Sequence, residues 1–325
     1  MLNIEKEILI KMYETMVRIR RFEERAGELV AKGEIKTPCH LYIGEEAVAA
    51  GVCQALERDD YIFGNHRSHG HYIAKGGDIK SLMAELFCKA TGCSKGKGGS
   101  MHIIAPEIGL LGTPPIVAAS IPIAVGTALA SSIKNENKVS VSFFGDGATN
   151  EGVFYESLNF AALKKLPIIF VCENNLYSTH MPLAKILADT SIAKKASAFG
   201  LPGIQIDGNN AIEVYQAAKE AINLARNGGG PTLIECKTYR WRGHVGFSDD
   251  LDKGLRSKEE LDYWMAKCPI KRLEEELIKD NLLSQEEKEE ISQKIEKEVE
   301  RAVQFAKESP YPEEAELSEN IFKDV

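Results

Sequence analysis

Between residues 139 and 236 the chain alternates short apolar runs with amphipathic stretches, and this restricts it to very few folds. Val139 to Phe144 reads as a strand, 151–163 as a helix, and Pro167 introduces a second strand from Ile168 to Cys172. Residues 185–199 are expected to be helical, 204–207 extended, 211–226 helical, and Thr232 to Cys236 extended. Strands separated by helix-length segments imply βαβ units, hence an α/β fold with a parallel sheet and helices on both faces.

The flanks support one large unit. Ile4, Ile8, Met12, Met16, Ile19 and Phe22 recur at helical spacing, a second helix is expected from about Glu45 to Leu56, and Tyr61 to Phe63 is a short strand. Gly92 to Gly99 and Pro114-Pro115 bracket a loop region. From Lys271 the character changes to long charged helices. There Ser284 and Glu287 form a capping-box pattern, and Ile291, Ile295, Ala302 and Ala306 trace one stripe. The expected division is an α/β domain over residues 1–270 and a helical extension over 271–325, packed on that domain or on a partner.

Composition excludes some functions. A formal net charge of -8 over 325 residues gives no general attraction to nucleic acid or to anionic membranes, so any phosphate must be held by a local site. No apolar run approaches the ~20 residues that span a bilayer. The seven cysteines are odd in number and contain no CxxC, which suits reduced thiols in a cytoplasmic protein.

Chemistry concentrates at Gly145-Asp146-Gly147 and, 26 residues later, Asn174-Asn175. Asp146 falls just beyond one strand and Asn175 just beyond the next, so a parallel sheet brings both to one crevice. A carboxylate and an amide oxygen there suit a hard cation, and the N-terminus of the helix from about Glu151 favours an anion. A magnesium diphosphate satisfies both. As a bare turn, GDG would mean little without its paired asparagine. A GxGxxG dinucleotide loop does not fit glycines at 145, 147 and 152.

The segment GDGATNEGVFYESLNFAALKKLPIIFVCENNLYS (145–178) resembles the thiamine-diphosphate motif in the alpha subunit of 2-oxoacid dehydrogenases of pyruvate and acetoin type. CHLYIGEEAV (39–48), HRSHGHYIAKGG (66–77), GKGGSMH (96–102), GGGPTLIECKTYR (228–240), LRSKEEL (255–261) and ESPYPEEAEL (308–317) resemble that family in the same order. The resemblance implies a thiamine-diphosphate-binding fold in which Asp146, Asn175 and the Tyr177 carbonyl hold magnesium. Arg67, beside His66, would grip the diphosphate, as a planar guanidinium can. Gly145, Gly147 and Ala148 would line the cofactor, and the main chain at Ile116 and Val117 would hold its aminopyrimidine ring. His40, His69 and His244 would line the catalytic funnel, with His244 also near the cofactor. His71, His102 and His180 match less well, though His102 follows the GKGGSM loop. The spacing of His66, His69 and His71 could suggest zinc, but no acidic or cysteine fourth ligand lies nearby.

The same resemblance implies decarboxylation of a 2-oxo acid such as pyruvate, or cleavage of acetoin, with transfer to a lipoyl-bearing acyltransferase. The glutamate that protonates the aminopyrimidine would come from a beta subunit in an α2β2 assembly. The 248–257 loop, with Arg256 in it, would close over the cofactor. Departures concern the substrate side: His66 where pyruvate-specific members often have Tyr, Pro114-Pro115 for a GNG-like turn, Val245 for a phosphorylatable serine, and Leu255 for a tyrosine. Non-oxidative carbonyl chemistry on the same cofactor, and a non-catalytic binding role, are the competing readings.

Overall fold

The structure, a computed structural model, describes residues 4–319. In chain order the elements are α1 (Lys6–Ala31), α2 (Glu46–Ala55), β1 (Tyr61–Phe63), α3 (His69–Ala74), α4 (Ile79–Leu86), β2 (Leu110–Gly112), α5 (Ser120–Lys134), β3 (Ser140–Gly145), α6 (Gly152–Leu163) and β4 (Ile168–Asn174). There follow a small antiparallel pair, β5 (Tyr177–Ser178) and β6 (Met181–Pro182), then β7 (Gly203–Asp207), α7 (Ala211–Arg226), β8 (Thr232–Lys237), α8 (Lys258–Ala266), α9 (Pro269–Lys279) and α10 (Gln285–Glu308).

Six strands form one parallel sheet in the order β2-β1-β3-β4-β8-β7. The β4 side chains are buried at every position, and those of β3 at all but Gly145, so apolar residues facing either way must be covered. One face is covered by a core shared among α1, α2, α7, α9 and α10, the other by α5, α6 and the segment after β6. The strand order reverses between β1 and β3, and the C-terminal ends of the strands there open a crevice. The α10 helix lies against α1 and α4, its capping box formed by Ser284 and Glu287. Among the described residues no helix is long and apolar enough to cross a membrane.

Two local outcomes differ from the sequence-based expectation. Residues 185–199 do not form one helix but two 3-10 segments, Leu183–Lys185 and Ala193–Phe199. Asp189 accepts the Ser191 N–H at 2.9 Å, and the buried Glu235 carboxylate draws in the Ala193 N–H at 2.8 Å, so side chains take the bonds a helix would need. Conversely, α5 forms although Pro122 and Gly126 lie within it; Pro122 sits in the first turn, where a missing N–H costs nothing.

The glycine-dense loop after α4 is held from inside. Glu85 is fully buried and its carboxylate accepts four backbone N–H groups, from Ser94 (2.8 Å), Gly96 (2.9 Å), Gly98 (2.8 Å) and Gly99 (2.9 Å). Gly96 and Gly99 adopt positive φ, +74° and +60°, which lets the loop wrap the carboxylate.

Candidate active site

A cavity of about 190 Å³ opens at the C-terminal ends of the strands. Asn65, His66 and Arg67 enter it after β1, Pro114 to Ala118 after β2, Asp146 to Ala148 after β3, Asn175 and Tyr177 after β4, and Arg240 and His244 after β8. Residues far apart in sequence meet because every strand runs the same way.

Asp146 is the first residue past β3. Its Oδ1 accepts the Gly147 N–H at 2.8 Å, while its buried Oδ2 has no partner. Burial raises its pKa to about 6. The two asparagines divide the work. Asn174 is structural, donating to Glu235 at 2.7 Å and accepting from the Leu176 N–H. Asn175 donates to Glu45 Oε1 at 3.1 Å, and its oxygen makes only a long contact with the Tyr177 N–H at 3.4 Å. Burial, then the neighbouring Glu173 carboxylate, push Glu45 up to about 8.

Two arginines face this group. Arg67 donates to the carbonyls of Leu41 (2.8 Å) and His244 (3.0 Å), with its Nε 3.8 Å from Glu45. Arg240 donates one N–H to the Thr179 carbonyl at 3.0 Å, but its buried Nη1 has no partner. Burial, with the Arg67 charge beside it, lowers Arg240 to about 9. From the sequence alone Arg240 is only the last residue of a family-like segment, without a role. The available signal was its place just past the end of β8, matching that of Asp146 past β3.

Gly145 is open: a Cβ built there would meet nothing within 4 Å, whereas one at Gly147 would strike Ser178 Oγ at 2.4 Å. A side chain at Gly147 would thus have to displace the Ser178 hydroxyl, whereas Gly145 leaves its side open. Ile116 and Val117 line the cavity and are exposed on its rim.

His40, His66 and His244 cluster at the mouth, with ring centroids 4.6 Å, 5.0 Å and 5.2 Å apart. Burial, with the Arg67 charge next in size, lowers their pKa values to about 3, about 2 and about 3. All three are therefore neutral near pH 7. His69 is placed behind the cavity wall, between Glu23 (2.9 Å) and Ser100 (2.9 Å). His71 lies between Ser68 (3.1 Å) and Glu173 (2.8 Å). The HxxHxH spacing therefore makes no metal cluster, because the helix sends the rings to separate partners. His102 is exposed, and His180 stands at the edge, 3.7 Å from Asp250.

The loop after β8 lies down on this mouth. Asp250 is buried, accepts the His244 N–H at 3.2 Å and pairs with Lys253 at 2.8 Å. Arg256 donates to the carbonyls of Arg240 (2.5 Å) and Asp249 (2.6 Å). Chemically, the site offers an unpaired carboxylate oxygen and an unpaired guanidinium nitrogen across one cavity, with neutral imidazoles at its entrance.

Residues 14–315 match the dehydrogenase E1 component family. The chain is 45% identical over 324 residues to the alpha subunit of acetoin:2,6-dichlorophenolindophenol oxidoreductase from Bacillus subtilis, covering 99% of this chain and 95% of that one. It is 42% identical over 330 residues to the pyruvate dehydrogenase E1 component subunit alpha of Porphyra purpurea (99% and 95% covered). Against the Zymomonas mobilis subunit of the same name the identity is 41% over 322 residues (98% and 90% covered).

Proposed function

The chain belongs to the dehydrogenase E1 component family, and from that premise we propose that it is the alpha subunit of a thiamine-diphosphate-dependent dehydrogenase. Its substrate would be a 2-oxo acid such as pyruvate, or acetoin, and its product group would pass to a lipoyl-bearing acyltransferase. One observation carries the cofactor assignment. Two buried polar atoms of opposite charge, Asp146 Oδ2 and Arg240 Nη1, line one cavity without partners, and a magnesium diphosphate would satisfy both.

In this reading Asp146, Asn175 and the Tyr177 carbonyl hold magnesium. Arg67 and Arg240 take the diphosphate, Gly145, Gly147 and Ala148 line it, and the backbone at Ile116 and Val117 supports the aminopyrimidine. Thiamine diphosphate, when bound, supplies the carbanion and the electron sink for cleaving a bond next to a carbonyl. The chain's own task is to anchor, orient and shield. His40, His66 and His244 stand neutral at the mouth, where their ring nitrogens can hydrogen-bond a substrate carbonyl or hydroxyl oxygen. His69 holds the wall through Glu23 and Ser100, which makes it a positioning residue.

In this reading the glutamate that protonates the aminopyrimidine comes from a beta subunit in an α2β2 assembly, as the alpha-subunit names of the relatives imply. Within this chain Glu45 binds Asn175 through Oε1 and keeps its buried Oε2 without a partner, while Glu173 is held by Tyr42 and His71. The seven unpaired cysteines suit the reducing cytoplasm. The test is titration calorimetry of thiamine diphosphate with magnesium on the chain co-expressed with its beta-type subunit, against Asp146→Ala. Magnesium-dependent binding that the variant loses is expected. Absence of binding in both proteins would remove the cofactor assignment and leave a non-catalytic role.

A further inference from the structure

The cavity carries a second set of ligating atoms, of different chemistry from the oxygens around Asp146. His40, His66 and His244 come from three separate loops, and one ring nitrogen or another from each lies within 4.8 Å of the other two. His40 is 7% exposed, and its Nδ1 is buried without a hydrogen-bond partner. The contrast with His69 and His71 is informative. In those two, both ring nitrogens are bonded, which is how an imidazole behaves when it serves the fold.

We propose that His40, His66 and His244 form a binding site for a divalent transition ion, with zinc as the best match, separate from the magnesium position. Three imidazoles with an open fourth position are a zinc-type donor set, whereas carboxylate, amide and carbonyl oxygens select magnesium. With Zn–N bonds of about 2.0–2.1 Å, ligands on a tetrahedral ion stand about 3.3 Å apart, so small rotations of the rings close the observed spacing. The rings are already in the unprotonated, ligating form. Arg67 and Arg240 oppose a cation here, while Asp250 beside His180 and His244 partly offsets them. A fourth position is left for water or an oxygen of a small ligand.

The site itself does not depend on the proposed function, but its consequence does. An ion on the three imidazoles occupies the nitrogens that would hydrogen-bond the substrate at the mouth, so zinc acts as a reversible inhibitor that leaves the diphosphate anchored.

Cobalt(II) titration of the co-expressed assembly, followed by visible absorption, tests this. Ligand-field bands of low-coordinate cobalt are expected, displaced by zinc and removed by a chelator. In His40→Asn and His66→Asn the half-saturation should weaken by about tenfold or more, since even outer-shell changes cost a metal site that much. In Asp146→Ala the bands should persist. Absence of bands, bands undiminished in both histidine variants, or a thiolate charge-transfer spectrum would overturn the site. Zinc protection of the wild-type histidines against carbethoxylation needs no variant, so it still tests the site if a substitution prevents folding. Protection is expected, and its absence refutes the site. Failure of thiamine diphosphate to bind, with cobalt bands intact, would instead strike only the cofactor reading.

Discussion

The two faces of the sheet are finished differently. On one, α10 buries Ile291, Ile295, Val299, Ala302, Val303 and Ala306, and its outward side ends in ion pairs such as Arg18–Glu298 (3.1 Å) and Arg25–Glu300 (2.7 Å). On the other, α5 and α6 cover the strands but leave Ile123 (53% exposed), Ile133 (71%), Phe160 (39%) and Leu163 (73%) uncovered. Ile116 and Val117, just before α5, are exposed at the cavity rim. Among the described residues the first face leaves less uncovered, chiefly Leu224 on α7 and Ile278 on α9. The second presents hydrocarbon beside the cavity, which is the surface a beta subunit would cover.

This contrast can be broken most sharply on the closed face. Leu277→Ala, at a fully buried position of α9, should cost about 2–5 kcal/mol in urea unfolding. A cost below about 1 kcal/mol would mean that the face is loosely packed. At the boundary between the faces, the three neutral histidines give stability a pH slope. Their folded pKa values lie below the ordinary histidine value, so between about 3 and 6.5 the unfolded chain binds more protons. Their contribution is intact above pH 6.5 and falls with pH below it. Asp146, raised to about 6, works in the opposite direction. His40→Asn should flatten the slope by one proton, about 1.4 kcal/mol per pH unit, readable from melts at pH 4.5 to 6.5. An unchanged slope would refute the neutral imidazole at this position.

Smaller still, Ser284→Ala removes the cap of α10 and should cost about 1 kcal/mol by calorimetry. On the open face, Leu163→Glu should change the stability of the chain by no more than about 0.5 kcal/mol. Co-purification with the beta-type subunit should nevertheless be lost. A large stability loss with intact association would show that the exposed side chains serve the fold and not a partner.

The β3–α6–β4 unit is legible in the sequence because buried parallel strands are continuous apolar runs and the site residues follow their ends directly. The bounds of α7 are legible for a similar reason, as Asn210 caps it with its own side chain. The arc from 183 to 199 is not legible, since Glu235 on a distant strand decides which N–H groups remain for a helix. The α5 helix escapes the sequence because its apolar residues point both into the core and out of it, which blurs the periodic signal. Asp146 and Asn175 stand out by spacing, and Arg67 enters through the resemblance. The inward turn of Arg240 is held by the Thr179 carbonyl, far from it in sequence, against the repulsion of the buried Arg67 charge.

The carboxylate of Glu85 carries a last consequence. A loop of closely spaced glycines with convergent N–H groups is the geometry that elsewhere receives a phosphate. In this chain the receptor is already filled, by a side chain of the preceding helix. The loop is thus not a vacancy for a ligand but a completed internal complex, a guest attached to its host by the backbone. Its shape is settled when the chain folds, so Ser100 and Met101 reach the cavity wall as fixed scenery rather than as parts that assemble on binding.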